Sequence, residues 1–115
     1  MNKADIVAEL SRRMDIDQHT ATSALENTLD IIVRSVERDE SVTIMGFGTF
    51  ERRERAARVA RIHTGEAVPV APTQVPMFRP GQYFRAVVKG EAQLPETGIS
   101  ASEWRLTPLS RTQTH

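Results

Sequence analysis

Five arginines fall within the ten residues Arg52-Arg53-Glu54-Arg55-Ala56-Ala57-Arg58-Val59-Ala60-Arg61, a segment with almost nothing large and apolar to bury. A planar guanidinium donates several hydrogen bonds at once and suits phosphate oxygens and minor-groove acceptors. If the segment is extended, Arg53, Arg55 and Arg61 share one strand parity and Arg52 and Arg58 the other. A two-stranded ribbon decorated in this way can lie in a nucleic-acid groove and reach phosphates on either side. A solvated surface strand or exposed helix has the same composition, since charge runs are usually only solvated. Composition alone leaves both readings open.

No other group of residues has the spacing for chemistry. His19, His63 and His115 are scattered, no carboxylate cluster accompanies them or Met77, and the chain has no cysteine. No metal site, thiol nucleophile or disulfide framework is therefore expected. No nucleophile–base pair or phosphate-cradling loop stands out, so the expectation is a protein that is not an enzyme, needs no cofactor and takes no small-molecule substrate. Leu94-Pro95-Glu96-Thr97-Gly98 matches a sortase recognition pentapeptide. The apolar segment and basic residues that should follow it are missing, and the match reads as coincidence.

The 115 residues carry 15 basic and 15 acidic side chains and no net charge, which on its face argues against a polyanionic partner. Their distribution argues the other way. Residues 1–50 hold five basic and nine acidic side chains, residues 51–89 eight and three, and residues 90–115 two and three. One basic zone is separated from acidic flanks. The apolar fraction of 39% supports a thin core, and oligomerisation is a usual remedy in small chains. The start, Met1-Asn2-Lys3-Ala4-Asp5, leads into a charged amphipathic stretch, so no secretion signal is expected. No stretch approaches the apolar length needed to span a bilayer.

Ile6, Val7, Leu10 and Met14 recur at helical spacing and predict a helix over about 3–14. Asp15-Ile16-Asp17 interrupts it, with Asp17 placed to cap a second helix over about 18–38. There Ala21, Ala24, Leu25, Leu29, Ile32, Val33 and Val36 form one broad stripe, so the two helices make a hairpin. Ser41-Val42-Thr43-Ile44-Met45 is β-rich, Gly46-Phe47-Gly48 marks a turn, and a strand resumes at Thr49. Alanine, arginine and glutamate favour helix over 52–61, but the segment follows a strand with no cap, and an extended arm is preferred. A turn falls at Ile62-His63-Thr64-Gly65-Glu66. Residues 67–78 return as a strand whose Pro69, Pro72 and Pro76 imply an edge or a protruding ribbon. Pro80-Gly81 precedes a last helix over 82–89, ended by Gly90. Residues 91–115 read as a largely disordered tail with Trp104 and Leu106 as candidate docking points.

This order of helix, helix, strand, Gly46-Phe47-Gly48-Thr49-Phe50, arginine arm, Val75-Pro76-Met77-Phe78-Arg79-Pro80-Gly81 and short helix resembles the HU/IHF family of bacterial histone-like proteins over residues 1–90. Arg55-Ala56-Ala57-Arg58-Val59-Ala60-Arg61 and Phe84-Arg85-Ala86-Val87-Val88 make it most similar to the N-terminal domain of actinobacterial, mycobacterial-type HU. The resemblance implies an α+β intertwined dimer with an N-terminal helical hairpin, a three-stranded antiparallel sheet with a protruding β-arm at about 52–75, and a short C-terminal helix. It implies a nucleoid-associated, cytoplasmic protein that binds double-stranded DNA through its arms with little sequence preference, with bending of the duplex left open. DNA-binding positions would be Lys3, Arg52, Arg53, Arg55, Arg58, Arg61, Ile62, Arg79 and Arg85. The dimer core would hold Leu29, Ile32, Val36, Ile44, Phe47, Phe50 and Phe78. Two alternatives stay open: an IHF-like, sequence-preferring bender, and an HU-fold subunit that acts by heterodimerising with a more basic homologue.

The chain departs from the family in three places. Family arms usually end in Asn-Pro, whose proline wedges between base pairs. Here Ile62-His63 is one residue shorter and has no proline, leaving Ile62 as a substitute wedge or the tip as one that never intercalates. The return strand has Ala67, Val68, Pro69, Val70 and Ala71 where lysines are common, so the salt slope should fall by about 0.9 log units for each phosphate left without a cation. The tail has only Arg105 and Arg111 as basic residues, unlike the Lys- and Ala-rich extension of mycobacterial-type HU, so no DNA-compacting role is expected of it. If Ile62 is the wedge, Ile62→Ala lowers duplex bending, measured by energy transfer between labelled DNA ends, and leaves most affinity intact. Unchanged bending would remove that role.

Overall fold

The computed structural model describes residues 1–105. Helix α1 spans Lys3–Met14 and α2 spans Gln18–Glu37. Asn2 opens α1 with a capping box, its side chain accepting from Asp5 N at 3.0 Å while the Asp5 carboxylate accepts from Asn2 N. Asp17 does the same work for α2, accepting from Thr20 N at 2.7 Å; such caps satisfy N–H groups that a helix leaves unpaired. Hydrogen bonds from the Thr20 side chain, and then from its backbone N–H, hold the Asp17 carboxyl below its ordinary pKa. Asp15 ends α1 at φ 53°, an excursion that aspartate tolerates better than most residues. Val7 and Ala21 are the buried positions of the hairpin.

Strands β1 (Val42–Ile44), β2 (Gly48–Arg55) and β5 (Thr73–Pro80) form an antiparallel sheet in the order β1-β2-β5. Beyond it, β3 (Arg58–Arg61) pairs with β4 (Ala67–Val70). The expectation of an unbroken arm strand needs one correction. Ala56-Ala57 and Ala71-Pro72 lie outside the ladders, between Arg55↔Thr73 on one side and Arg58↔Val70 on the other. Two residues are skipped on each strand, so the register is the same on both sides and the ribbon continues without a bulge. Pro72 has no N–H to give to a ladder there, and the alanines bring little side chain to pack across the strands. Pro72, Pro76 and Pro80 are four apart and share one alternation of the strand, so the N–H groups are lost on one side only. That is tolerable on β5, an edge of the sheet.

At the far end, Gly65 N donates to Ile62 O at 2.8 Å and Ile62 N to Glu66 O at 3.1 Å. Gly65 takes φ +83°, the left-handed residue that closes a three-residue hairpin loop. Helix α3 spans Gln82–Lys89, and the one-turn helix α4 spans Ala101–Trp104. Residues 91–105, expected as part of a disordered tail, instead run back over the body because Trp104 finds aromatic partners there. Leu106, the other candidate docking point, lies outside the described residues.

Few side chains of one chain are fully covered. Val7, Ala21, Tyr83 and Ala86 are buried, whereas Val33 and Val88 are 66% and 74% exposed. Leu29, Ile32, Val33 and Val36 of α2 face Phe50 and Phe78 across an open apolar groove of about 590 Å³, whose lining continues along β5 past Val75 and Met77. Five of the expected dimer-core residues, Leu29, Ile32, Val36, Phe50 and Phe78, line it. Phe47 sits in the aromatic cluster beside it, and Ile44 is exposed at the end of β1. Gly48 is buried under Phe78: a Cβ there would lie 2.4 Å from the Phe78 ring and 2.7 Å from Arg79 O. Gly48→Ala is expected to cost about 1–3 kcal/mol, the range for overpacking a close-fitted site. Denaturant unfolding at fixed protein concentration measures it, and an unchanged midpoint would mean that the ring can swing aside.

Candidate nucleic-acid interface

Strand alternation sorts the side chains of β2 and β5 onto two faces. Phe50 and Phe78, directly opposed in the register, stack at 4.8 Å between ring centroids on the face toward α2. Arg52 shares their parity, and its guanidinium donates to Glu37 O at 2.7 Å. That carbonyl is in the last turn of α2, where acceptors lack helical partners and the helix dipole favours a cation. Arg52, expected among the DNA contacts, is therefore engaged as a cap on α2.

The other face is polar and cationic. Thr43 and Thr49, opposed across β1 and β2, share a hydroxyl hydrogen bond of 3.1 Å. Glu51 sits between two arginines: Arg79 donates through Nε at 3.2 Å and Nη2 at 3.3 Å, and Arg53 through Nη2 at 3.2 Å. Arg79 first, and Arg53 after it, hold the Glu51 carboxyl below the ordinary glutamate pKa. At neutral pH this is a carboxylate holding two guanidinium groups at the root of the ribbon. Sequence reasoning missed Glu51. Its parity with Arg53 was legible, but Arg79 lies 28 positions away and comes alongside only through the register of β2 on β5.

Farther out, Arg61 donates to Gly65 O at 2.9 Å and braces its own turn. Arg55 and Arg58 are exposed and make no ion pair among the described residues. Ile62 is 42% exposed at the base of the turn, with His63 and Thr64 as its outermost residues. Two other expected contacts lie on helices and not on the ribbon. Lys3 is paired with Glu26 of α2, and Arg85 is exposed on α3 beside Phe84 and Val88. The structure thus brings Arg53, Arg55, Arg58, Arg61 and Arg79 onto one protruding ribbon and its root, and sets Arg52, Lys3 and Arg85 apart. Among the described residues no three His, Cys, Asp or Glu side chains group closely enough to hold a metal ion. No described helix is long and apolar enough to cross a membrane.

Residues 1–89 match the family described as Bacterial DNA-binding protein. The HU protein of Haemophilus influenzae is 38% identical over 90 residues, which is 77% of this chain and 100% of that protein. The chain belongs to the HU family. It is also 40% identical to DNA-binding protein HU 2 of Streptomyces coelicolor over 104 residues, or 90% of this chain and 47% of that relative. It spans about half the length of that HU protein. Among solved structures, the fold is similar to HU in an Anabaena HU–DNA cocrystal, with a TM-score of 0.73, 36% identity, and coverage of 76% of this chain and 97% of that one. An HU mutant from Thermotoga maritima shares the fold at a TM-score of 0.58 and 23% identity.

The division of labour among the arginines is testable without nucleic acid. Arg52→Ala should lower stability by about 1 kcal/mol, the usual worth of one net hydrogen bond, whereas Arg58→Ala should leave unfolding unchanged. Denaturant titrations of the two variants side by side check this, and equal midpoints would remove the capping role of Arg52.

Proposed function

We propose that this HU-family chain is a nucleoid-associated architectural protein that binds double-stranded DNA as a dimer, largely without sequence preference. The observation that carries the reading is the ribbon 48–80, which extends past the sheet with Arg55 and Arg58 exposed and unpaired among the described residues. Guanidinium groups held on a narrow two-stranded ribbon fit the minor groove and the phosphates on its borders, and recognition of that kind follows backbone charge and duplex deformability. Arg53 and Arg79 join in at the root once phosphate takes the place of Glu51. Ile62, beside the turn, is the residue placed to act as a wedge if the tip enters the base stack. Lys3 and Arg85 extend the basic surface over the body, and the site of action is the cytoplasmic nucleoid.

The second copy follows from the groove between α2 and the β2–β5 ribbon. Leu29, Val33 and Phe78 are left exposed along it on a single chain, and contiguous exposed apolar residues rimmed by polar ones mark an interaction site. Each Leu-, Val- or Phe-sized side chain it buries contributes about 1.5–3 kcal/mol. The arms of two chains then project from one body and embrace the duplex from both sides.

One observation favours a second reading, in which the partner is a more basic homologue. Strand β4 and the residues after it, Ala67-Val68-Pro69-Val70-Ala71, carry no cation, so half of each arm adds nothing to phosphate binding. Native mass spectrometry with a candidate homologue separates the two readings. A stable homodimer that binds DNA by itself removes the motive for the second.

The deciding experiment is fluorescence anisotropy with short labelled duplexes of unrelated sequence at several salt concentrations. The expected result is affinity that is alike for all sequences and falls steeply with salt. Replacing Arg55 and Arg58 by alanine should flatten the slope by about 0.9 log units for each phosphate that is no longer neutralised. Absence of binding at low salt would overturn the homodimeric DNA-binder.

A further inference from the structure

Residues 91–105 lie outside the family match and beyond the basic zone, yet they are tied to the body at successive points. Gly90 ends α3 at φ +83°, and Glu91 N and Ala92 N both donate to Ala86 O, at 2.8 and 3.2 Å. The chain then passes Tyr83, 3% exposed, whose hydroxyl donates to Gln93 O at 3.2 Å. After the exposed stretch at Glu96-Thr97-Gly98 it re-forms as α4, opened by a capping box between Ser100 and Glu103. Hydrogen bonds from Ser100 lead the causes that hold the Glu103 carboxyl below its ordinary pKa. The helix delivers Trp104 edge-on to Tyr83 at 5.6 Å and to Phe47 at 6.1 Å, both at 76°. Beneath it Gly46 is bare: a Cβ there would meet Trp104 O at 2.2 Å.

We propose that Gly46, Phe47 and Tyr83 form a seat for Trp104, and that residues 91–105 are an intramolecular clasp and part of the folded unit. The seat has the chemistry this occupant needs. Two aromatic rings meet the indole edge-on, the favoured geometry for such pairs. A glycine lets the backbone of residue 104 approach closely, and a tyrosine hydroxyl satisfies the carbonyl of Gln93, which the passing chain would otherwise leave unpaired. The clasp meets Phe47, which does not line the α2 groove, and no residue of 91–105 lines that groove either, so it stays open for a second copy. Its described residues carry Glu91, Glu96 and Glu103 against Arg105, so it adds no basic surface. This inference does not depend on DNA binding, and its test uses none.

The chain has a single tryptophan, so intrinsic fluorescence of the full-length protein reads the seat directly. The clasp predicts blue-shifted Trp104 emission, acrylamide quenching several-fold weaker than in denaturant, and loss of both in the same transition as the far-UV circular dichroism. Protection should persist on dilution through the dissociation range of the dimer, because the seat is in the same chain. Tyr83→Phe, which removes the bond to Gln93 and keeps the ring, should raise quenching while the dichroism stays native. Trp104→Ala should lower the melting temperature. Emission and quenching already equal to those of the denatured chain would overturn the clasp. Protection that vanishes on dilution would overturn it as well, by placing the seat on a partner.

Discussion

The carbonyls of Gly46 and Phe47 accept from Phe84 N at 3.1 Å and Gly81 N at 2.8 Å, and these two bonds join the sheet to α3. The contact is close enough that a Cβ on Gly81 would lie 2.6 Å from the Gly46 carbonyl. With the backbone held there, the Phe47 side chain reaches Phe50, Phe78, Phe84 and Trp104 at centroid distances of 5.4 to 6.4 Å. One turn thus sets the start of β2, the docking of α3, the aromatic cluster and the place where the chain past α3 comes to rest. The two glycines flanking Phe47 are needed for different reasons: Gly46 for its φ of +79° and the chain lying over it, Gly48 because Phe78 occupies the space of a Cβ.

From that joint the ribbon inherits its division into faces. Strict alternation from Gly48 outward sends Phe50 and Arg52 toward α2 and Glu51 and Arg53 away from it. Adjacent arginines therefore have unlike work, one finishing a helix and the other waiting beside a carboxylate. The pairs around Glu51 are exposed and screened by salt, so they add little to stability. What they do is keep two cations ordered at the root of the arm. Farther out, on either side of the break at Ala56-Ala57 and Ala71-Pro72, Arg55 and Arg58 have no such partner among the described residues and are the cations most available to a polyanion.

The zero net charge of the chain is the sum of unlike parts, and the structure shows how they are kept apart. Acidic residues of the helices pair within the helical hairpin: Glu9 with Arg12 and Arg13, Asp30 with Arg34, Glu26 with Lys3. Arg12 and then Arg13 hold the Glu9 carboxyl down at a pKa of about 2. These pairs engage every lysine and arginine of the two helices and leave an acidic excess there, while the excess positive charge lies on the ribbon and α3.

Much of this was legible in the residue order because it depends on local rules. Helix periodicity, the Asp17 cap, the Gly65 turn, the prolines of the return strand and the Gly90 stop each act within a few residues, and each fell where its own chemistry put it. The arginine ribbon was legible for the same reason, as were the family motifs that gave it meaning. The role of Arg52, the pairing of Glu51 with Arg79 and the seat of Trp104 were not. Each joins groups 15 or more positions apart, and an isolated tail rich in serine and threonine, with few large apolar residues, has the composition of a disordered one. By itself the sequence determined the helical hairpin, the sheet, α3, their order and the cationic arm, since these follow from spacing and side-chain type. Only the tertiary structure decided which arginine caps a helix, which carboxylate restrains the arm root and where Trp104 comes to rest, because strand register and aromatic packing bring those groups together.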